Sequence, residues 1–205
     1  MGMSRGAPGR GRGPRVIAGE AGGRRLVVPS GTRTRPTADR VKEALFAALG
    51  PSRIIGTHVL DGFAGSGALA IEALSRGASR ALLVDRDPLS ADAIRRNLQT
   101  TGLADRAAVQ RRGLGTVLRS NPPDTPFDLV FLDPPYDYAG TDLGAIILQL
   151  SAPGWVSNDG TIVIERAESS GPPSLPPGWM VTWDRVYGDT LIVIAARDSG
   201  IVESA

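Results

Sequence analysis

The stretch HVLDGFAGSGALAIEALSRG, residues 58–77, decides the fold of this chain. A short apolar strand leads into a glycine-rich turn from Asp61 to Gly67, and a helix follows that closes at Gly77. This order is typical of the first unit of a doubly wound sheet, where ligands bind outside the carboxyl ends of the strands. Glycines let the backbone approach a ligand, and the N-terminus of the following helix is electropositive.

The alternation of strand and helix continues along the chain. Strands are predicted in RALLVD, AAVQRR, FDLVFLD and GTIVIER, with helices in PLSADAIRRNLQTTG, GTVLRS and DLGAIILQL between them. Such alternation requires a parallel sheet covered on both faces. The last two strands, MVTWDRVYG and TLIVIAARD, are separated only by a Gly-Asp turn. The sequence therefore predicts an α/β fold in which the last strand enters the sheet antiparallel.

Four segments are predicted along the chain. Residues 1–14 are rich in Gly, Arg and Pro and cannot bury enough apolar surface to order, so we expect a disordered tail. Residues 15–50 combine a β-hairpin in RVIAGEAGGRRLVVP with a helix in TADRVKEALFAALG, for which Thr37 is the candidate N-cap. Residues 51–197 form the main domain, and residues 198–205 a flexible C-terminus.

The composition narrows the classes of function. The 205 residues include no cysteine and a single histidine, His58, so thiolate and histidine metal sites are not expected. Neither a membrane helix nor a secretory signal is predicted, and we expect a soluble, cytoplasmic protein. Residues 1–40 carry a net charge of +7 and the remainder −5, counting nine basic against two acidic and 14 basic against 19 acidic side chains. This asymmetry favours a basic arm that meets a polyanion; a solubilising tail is the alternative.

The glycine turn alone leaves two cofactor classes open. Gly65-Ser66-Gly67-Ala68-Leu69-Ala70 also matches the dinucleotide pattern G-x-G-x-x-G/A. Asp61 favours S-adenosylmethionine over a dinucleotide. A carboxylate at this position would repel the pyrophosphate of a dinucleotide, but it could accept a hydrogen bond from the amino group of S-adenosylmethionine. Asp85, at the end of the second strand, suits ribose hydroxyls in either case.

The fourth strand ends in unusual chemistry, FDLVFLDPPYDY over residues 127–138. An exocyclic amine on a nucleobase is a poor nucleophile, because its lone pair is delocalised into the ring. Asp133 and the carbonyl of Pro134 can accept its two hydrogens, and the prolines fix the backbone curve. Tyr136 offers a ring on which a flipped-out base can stack. Because this motif follows Asp61 and Asp85 in the same series of strands and helices, it predicts an amino-methyltransferase.

Five stretches of the chain together resemble the RsmD-type methyltransferases of bacterial small-subunit 16S ribosomal RNA. RPTADRVKEALF (35–46) is the most discriminating of them, since Asp-Pro-Pro-Tyr occurs widely among amino-methyltransferases. The other stretches are RVIAGEAGGRRLVVP, VLDGFAGSGALAIEALSRGA, FDLVFLDPPY and RVYGDT (185–190).

The resemblance implies a Rossmann-like, seven-stranded class I methyltransferase fold. It also implies that S-adenosylmethionine is the donor and that the acceptor is guanine N2, at position 966 of 16S rRNA, in the small subunit or an assembly intermediate. We further expect a monomer with no membrane or metal partner. Carried over by position, the cofactor residues are Asp61, Phe63, Ala64, Gly65, Ser66, Gly67, Asp85 and Arg86. The catalytic residues are Asp133, Pro134, Pro135 and Tyr136, and the RNA-binding residues are Arg35, Thr37, Arg40 and Tyr136.

The chain departs from the family pattern at three places. Gly62 stands where a larger residue is usual, and Gly22 replaces a basic residue. The turn after strand three, Arg111-Arg112-Gly113-Leu114, has no Asp or Asn near the adenine, so that contact is not assigned. Glu165, at the end of strand five, either supports the site from behind or is simply exposed.

Three other functions remain open from sequence alone. A DNA adenine-N6 methyltransferase could use the same Asp133 chemistry, although the chain has no separate target-recognition domain. An enzyme acting on a glutamine amide is a further variant. A non-catalytic RNA-binding assembly factor could keep the basic arm, but the intact Asp61 and Asp133 argue against it.

Overall fold

The computed structural model describes residues 13–29, 38–135 and 140–197. Seven strands form a single sheet in the order β3-β2-β1-β4-β5-β7-β6, parallel except that β7 runs antiparallel to both of its neighbours. The predicted fold class is confirmed. The strands are β1 His58–Asp61, β2 Arg80–Val84, β3 Ala107–Gln110, β4 Phe127–Leu132, β5 Val156–Ala167, β6 Trp179–Tyr187 and β7 Thr190–Arg197; the helices are α1 Ala38–Leu49, α2 Ala68–Ser75, α3 Pro88–Thr101, α4 Leu114–Val117 and α5 Gly140–Ser151.

Each face of the sheet is covered by its own apolar cluster. Strand β4 is central and contributes to both, because successive side chains point to opposite faces. Phe131 packs in the cluster that includes Leu45 and Phe46 of α1, whereas Leu132 packs in the cluster that includes Ile147 of α5. The unbroken apolar run of β4 thus follows from burial on both sides. Across the described ranges, no helix has both the length and the apolar character to cross a membrane.

Helix α3 shows how the sequence sets the ends of elements. Asp87 accepts a hydrogen bond from the Leu89 N–H at 2.9 Å, and Pro88 follows at the first helical position. Proline is favoured there because its missing N–H would have no intrahelical partner. Gly102 ends the helix at φ 77°, in the left-handed region that glycine tolerates.

The predicted N-terminal hairpin forms only in part. Residues 15–29 make one isolated antiparallel bridge, between Arg15 and Arg25, in place of two strands. The Val16 N–H donates to the Arg24 carbonyl at 2.9 Å, and the Leu26 N–H donates to the Pro14 carbonyl at 2.8 Å. Beyond this short pairing the chain turns, and Ile17 and Ala18 donate to the Glu72 carboxylate at 2.7 and 3.1 Å.

A buried ionic group holds this segment on the domain. Glu72 of α2 is fully buried and accepts from Arg76 Nε at 2.7 Å and from Lys42 Nζ at 3.3 Å. We call Glu72, Lys42 and Arg76 the Glu72 cluster. The Lys42 ammonium also donates to the Arg15 carbonyl at 2.6 Å. Because Lys42 lies on α1, the cluster fastens the N-terminal segment and two helices at one point.

Candidate active site

A cavity of about 670 Å³ opens at the carboxyl ends of the parallel strands. Its size lies in the range of roughly 300–1,000 Å³ that is usual for ligand sites. The residues after β4 divide it, since β4 lies between β1 and β5 in the sheet. We call the parts the β1–β2 side and the β5–β7 side. The β1–β2 side is lined by Phe63, Gly65, Ser66, Asp85 and Arg86, and the β5–β7 side by Val41, Lys42, Leu45, Glu165, Tyr187 and Ile192.

The glycine loop is fixed to three strands. The Gly62 N–H donates to the Phe131 carbonyl of β4 at 2.9 Å, and the Ala64 N–H donates to the Val84 carbonyl of β2 at 3.0 Å. Gly65 has φ 54°, a conformation in which a side chain would be strained. The loop is therefore preorganised, and the backbone of Gly65 can approach a ligand closely.

Asp85 is placed for hydroxyl recognition. Its two carboxylate oxygens accept from the N–H groups of Gly65 and Asp87, each at 2.8 Å. An ionised carboxylate offers about four lone-pair sites, so these two bonds leave acceptor capacity on both oxygens. Since Asp85 is half-buried and lines the cavity, it can accept from a vicinal diol such as that of a ribose.

Asp61 lies beneath the loop and is absent from the residues that line the cavity. It is 1% exposed, and its carboxylate accepts from the Ala70 N–H at 3.2 Å, near the N-terminus of α2. Burial raises the pKa of Asp61 to about 7, and the nearby charge of Asp85 adds to the shift. As placed, Asp61 supports the loop and α2. Its direct contact with the amino group of a cofactor stays a prediction.

The predicted catalytic motif begins where β4 ends. Asp133, Pro134 and Pro135 all line the cavity, with Asp133 and Pro135 exposed and Pro134 buried. The structure thus brings Asp133 to the same cavity as Asp85 and the glycine loop. Tyr136 lies outside the described residues, so its stacking role stays a prediction.

The predicted RNA-binding residues are only partly described. Arg35 and Thr37 lie outside the described residues, and so does the predicted N-cap role of Thr37. Arg40 is exposed on α1 and is not part of the cavity lining. Three other arginines do line the cavity, namely Arg86, Arg112 and Arg119.

Asn97 is a structural contact that sequence reasoning missed. It is fully buried on α3, where it donates to the carbonyls of Ser66 and Val27, each at 2.8 Å, and accepts from the Val27 N–H at 2.7 Å. The Val28 and Pro29 positions that follow line the cavity. One side chain therefore ties the glycine loop to the N-terminal segment. The sequence offered one sign of this contact, since a polar asparagine at an inward-facing position of a helix needs hydrogen-bond partners.

The departure at Gly62 is explained by Leu114. A Cβ atom at position 62 would lie 2.5 Å from Leu114 Cδ2 and 3.2 Å from Leu132 Cδ2. The missing side chain therefore leaves room for Leu114, which is buried and lines the β1–β2 side. The two unusual features of the sequence, Gly62 and Leu114 in the turn after β3, therefore belong together, because Leu114 occupies the space that a side chain at position 62 would need.

Comparison with known proteins shows the family. A family model described as conserved hypothetical protein 95 matches residues 14–196. Ribosomal RNA small subunit methyltransferase D of Escherichia coli is 34% identical over 185 residues, covering 90% of each chain. The chain belongs to this methyltransferase family. YlbH of Bacillus subtilis is 38% identical over 181 residues, covering 88% of this chain and 97% of its own.

Solved structures agree with this family assignment. That of yhhF from Escherichia coli is 34% identical and superposes with a TM-score of 0.80, covering 91% of this chain and 98% of that one. A more distant structure, SMU.776 complexed with SAH, shares the fold at 14% identity and a TM-score of 0.63, covering 80% of this chain and 50% of its own. SAH is S-adenosylhomocysteine, the product that S-adenosylmethionine leaves after methyl transfer.

The β1–β2 side fits the cofactor of a methyltransferase family. Asp85 keeps acceptor capacity that ribose hydroxyls could use, the preorganised glycine loop permits close approach, and Phe63 and Leu114 offer apolar surface for a flat base. S-adenosylmethionine, the cofactor predicted from the sequence, is therefore confirmed for this family member.

Proposed function

We propose that this protein transfers a methyl group from S-adenosylmethionine to the exocyclic N2 of a guanine in small-subunit 16S ribosomal RNA, with guanine 966 as the target that the family resemblance suggests. One observation carries the proposal. Asp133 and Pro134, the acceptors predicted for an exocyclic amine, lie on the wall of the same cavity as Asp85 and the glycine loop.

The residues of the β1–β2 side would hold the cofactor. Asp85 accepts from the ribose, and Phe63 with Leu114 contacts the adenine. When bound, S-adenosylmethionine supplies an electrophilic methyl group on a sulfonium, which is a good leaving group. The protein therefore needs to orient the acceptor amine and to place hydrogen-bond acceptors in advance.

The end of β4 performs that orientation. The Asp133 carboxylate and the Pro134 carbonyl accept from the two N2 hydrogens, which directs the nitrogen lone pair at the methyl carbon. The bound cofactor would supply the methyl carbon to N2 and would keep the electron pair of its broken C–S bond on sulfur. The surplus N2 proton leaves to Asp133 or to water. Tyr136 would stack on the flipped base.

Arginines around the cavity provide the attraction for an RNA backbone. Arg86, Arg112 and Arg119 are exposed at its rim, and phosphate contacts of this kind position a nucleic acid without reading its sequence. Arg40, exposed on α1, is a further proposed RNA contact, and Arg35 and Thr37 are proposed from the family resemblance alone. The basic stretch at residues 1–40 supports the same partner.

The test is a comparison of substrates followed by analysis of the product. Methyl-labelled S-adenosylmethionine is incubated with small subunits from cells that lack the enzyme, with naked 16S rRNA and with DNA. The labelled nucleosides are then separated after complete digestion. We expect N2-methylguanosine from rRNA in subunits. Label only in N6-methyladenine of DNA, or transfer to no nucleic acid, would overturn the proposal and favour the corresponding alternative.

A further inference from the structure

Glu165 lies beside Asp133 in the sheet. Strands β4 and β5 are parallel and pair Leu132 with Ile164, so Asp133 and Glu165 are each the next residue beyond the last registered pair. Neighbouring strands are about 4.8 Å apart, which brings these two positions close together. Both residues line the cavity, Asp133 at the dividing point and Glu165 on the β5–β7 side. Two residues with carboxylate side chains therefore stand at neighbouring positions in the wall of the cavity.

The cavity wall on the side of Glu165 is mainly apolar and includes the ring of Tyr187, together with the side chain of Lys42. Glu165 pairs in register with Ile192 of β7, which is fully buried. Val41 and Leu45 of α1 and Tyr187 of β6 line the same part of the cavity. Tyr187 and Ile192 both belong to the apolar packing on this face of the sheet. A flat heterocycle entering here would meet apolar walls and, at the end of the strands, two carboxylates.

Guanine is the common base whose edge matches two adjacent acceptors. Its N2 amino group stands beside N1–H, so these two neighbouring positions of the Watson–Crick edge are both donors, and the O6 acceptor lies beyond them. The amino groups of adenine and cytosine stand beside a ring nitrogen that is an acceptor. We propose that Glu165 accepts a hydrogen bond from guanine N1–H while Asp133 and Pro134 hold N2, which makes Glu165 a specificity-determining residue. This inference rests on the proposed function and names the group that selects the base.

The arrangement also rejects the competing base. If adenine were held with its amino group at Asp133, its N1 lone pair would face the Glu165 carboxylate, and two acceptors repel each other. An enzyme discriminates strongly between two substrates when the wrong one leaves a buried polar group of the site without a hydrogen-bond partner. The same catalytic motif would thus serve guanine here because of a residue on the neighbouring strand.

The decisive experiment uses 2-aminopurine, which keeps the 2-amino group but has an acceptor at N1. Small subunits are reconstituted with rRNA carrying guanine or 2-aminopurine at the methylated position, and kcat/KM is measured for each. The wild-type protein is compared with Glu165→Gln, which keeps size and removes charge. Glu168→Gln, three residues further on and exposed, is the matched control. Calorimetry with S-adenosylmethionine and thermal unfolding show whether each variant binds cofactor and folds.

We expect the wild type and Glu168→Gln to prefer guanine over 2-aminopurine. Glu165→Gln should lose roughly 10- to 100-fold in kcat/KM on guanine, as the loss of a charged hydrogen-bond acceptor implies, and far less on 2-aminopurine. Cofactor affinity should not change. An unchanged preference in an active Glu165→Gln would overturn this inference alone, and equal losses on both bases with weaker cofactor binding would assign Glu165 to the cofactor instead. A wild type that leaves guanine unmethylated would overturn the proposed function as well.

Discussion

Replacing Glu72 with glutamine removes the charge from the Glu72 cluster and keeps the shape of the side chain. The Lys42 ammonium, whose side chain is 6% exposed, would then lose its closest negative partner, at 3.3 Å. Removing one member of a buried ion pair costs about 3–5 kcal/mol, because the other charge stays buried without compensation. In a chain of this size, each kcal/mol lowers the unfolding midpoint by about 2–4 °C. We therefore expect Glu72→Gln to unfold roughly 6–20 °C below the wild type.

The pH dependence of this loss identifies its cause. Burial lowers the pKa of Lys42 from its ordinary value of 10.5, and Glu72 opposes that shift. A lysine whose folded pKa is lowered binds fewer protons in the native state than in the unfolded state, so stability rises with pH between the lowered pKa and 10.5. Without Glu72 the pKa of Lys42 falls further. The rise in stability should therefore begin at a lower pH in Glu72→Gln than in the wild type.

The assay is urea-induced unfolding followed by circular dichroism, between about pH 6 and 10. The double variant Lys42→Met/Glu72→Gln is the control, since it removes the unpaired charge and should recover part of the loss. A single variant as stable as the wild type, or one whose loss is the same at every pH and is not relieved by Lys42→Met, would refute the reasoning.

Three further changes test other parts of the structure. Asp61→Asn removes a buried carboxyl group whose pKa is raised from 3.8 to about 7. Because the native state keeps the carboxyl proton to a higher pH than the unfolded state does, wild-type stability should fall by on the order of 4 kcal/mol as the pH rises from 3.8 to 7. Urea unfolding should show a smaller fall in the variant. Asn97→Ala leaves the polar backbone groups of Ser66 and Val27 without partners, so it should cost about 1–3 kcal/mol in unfolding and weaken S-adenosylmethionine binding in calorimetry; unchanged affinity would show that the glycine loop is held by other contacts. Deleting residues 1–14, which include three arginines, should make RNA affinity less dependent on salt. The slope of log affinity against log salt concentration should shrink by roughly 0.7–0.9 for each phosphate that these arginines neutralise. An unchanged slope would mean that the segment does not touch RNA.

The sheet could be predicted because its signals are local. The apolar run before Asp133 requires burial on both faces of the sheet. A glycine loop between a parallel strand and a helix is typical of a ligand site at the carboxyl end of that strand. The Gly-Asp turn at residues 188–189 is too short for a crossover, so an antiparallel pairing of the last two strands was expected, and the structure shows it. Short-range patterns of this kind survive in any tertiary context that keeps the core buried.

The missed features depend on partners far apart in sequence. Glu72 accepts from the N–H groups of Ile17 and Ala18, more than fifty residues away, at the point where the short pairing of the N-terminal segment gives way to a turn. Asn97 reaches Val27 across 70 residues. The place of Asp61 before the glycines predicts a cofactor contact, but sequence spacing cannot tell whether its carboxylate faces the cavity or the helix behind it.

In the proposed mechanism Asp133 holds the acceptor amine and takes no part in holding the cofactor. The most direct measurement is single-turnover methyl transfer by Asp133→Ala and Asp133→Asn, with S-adenosylmethionine binding measured by calorimetry on the same preparations. We predict that turnover is abolished in Asp133→Ala and strongly reduced in Asp133→Asn, while both variants bind the cofactor as the wild type does. Full activity in Asp133→Ala, or loss of cofactor binding in step with activity, would contradict the account.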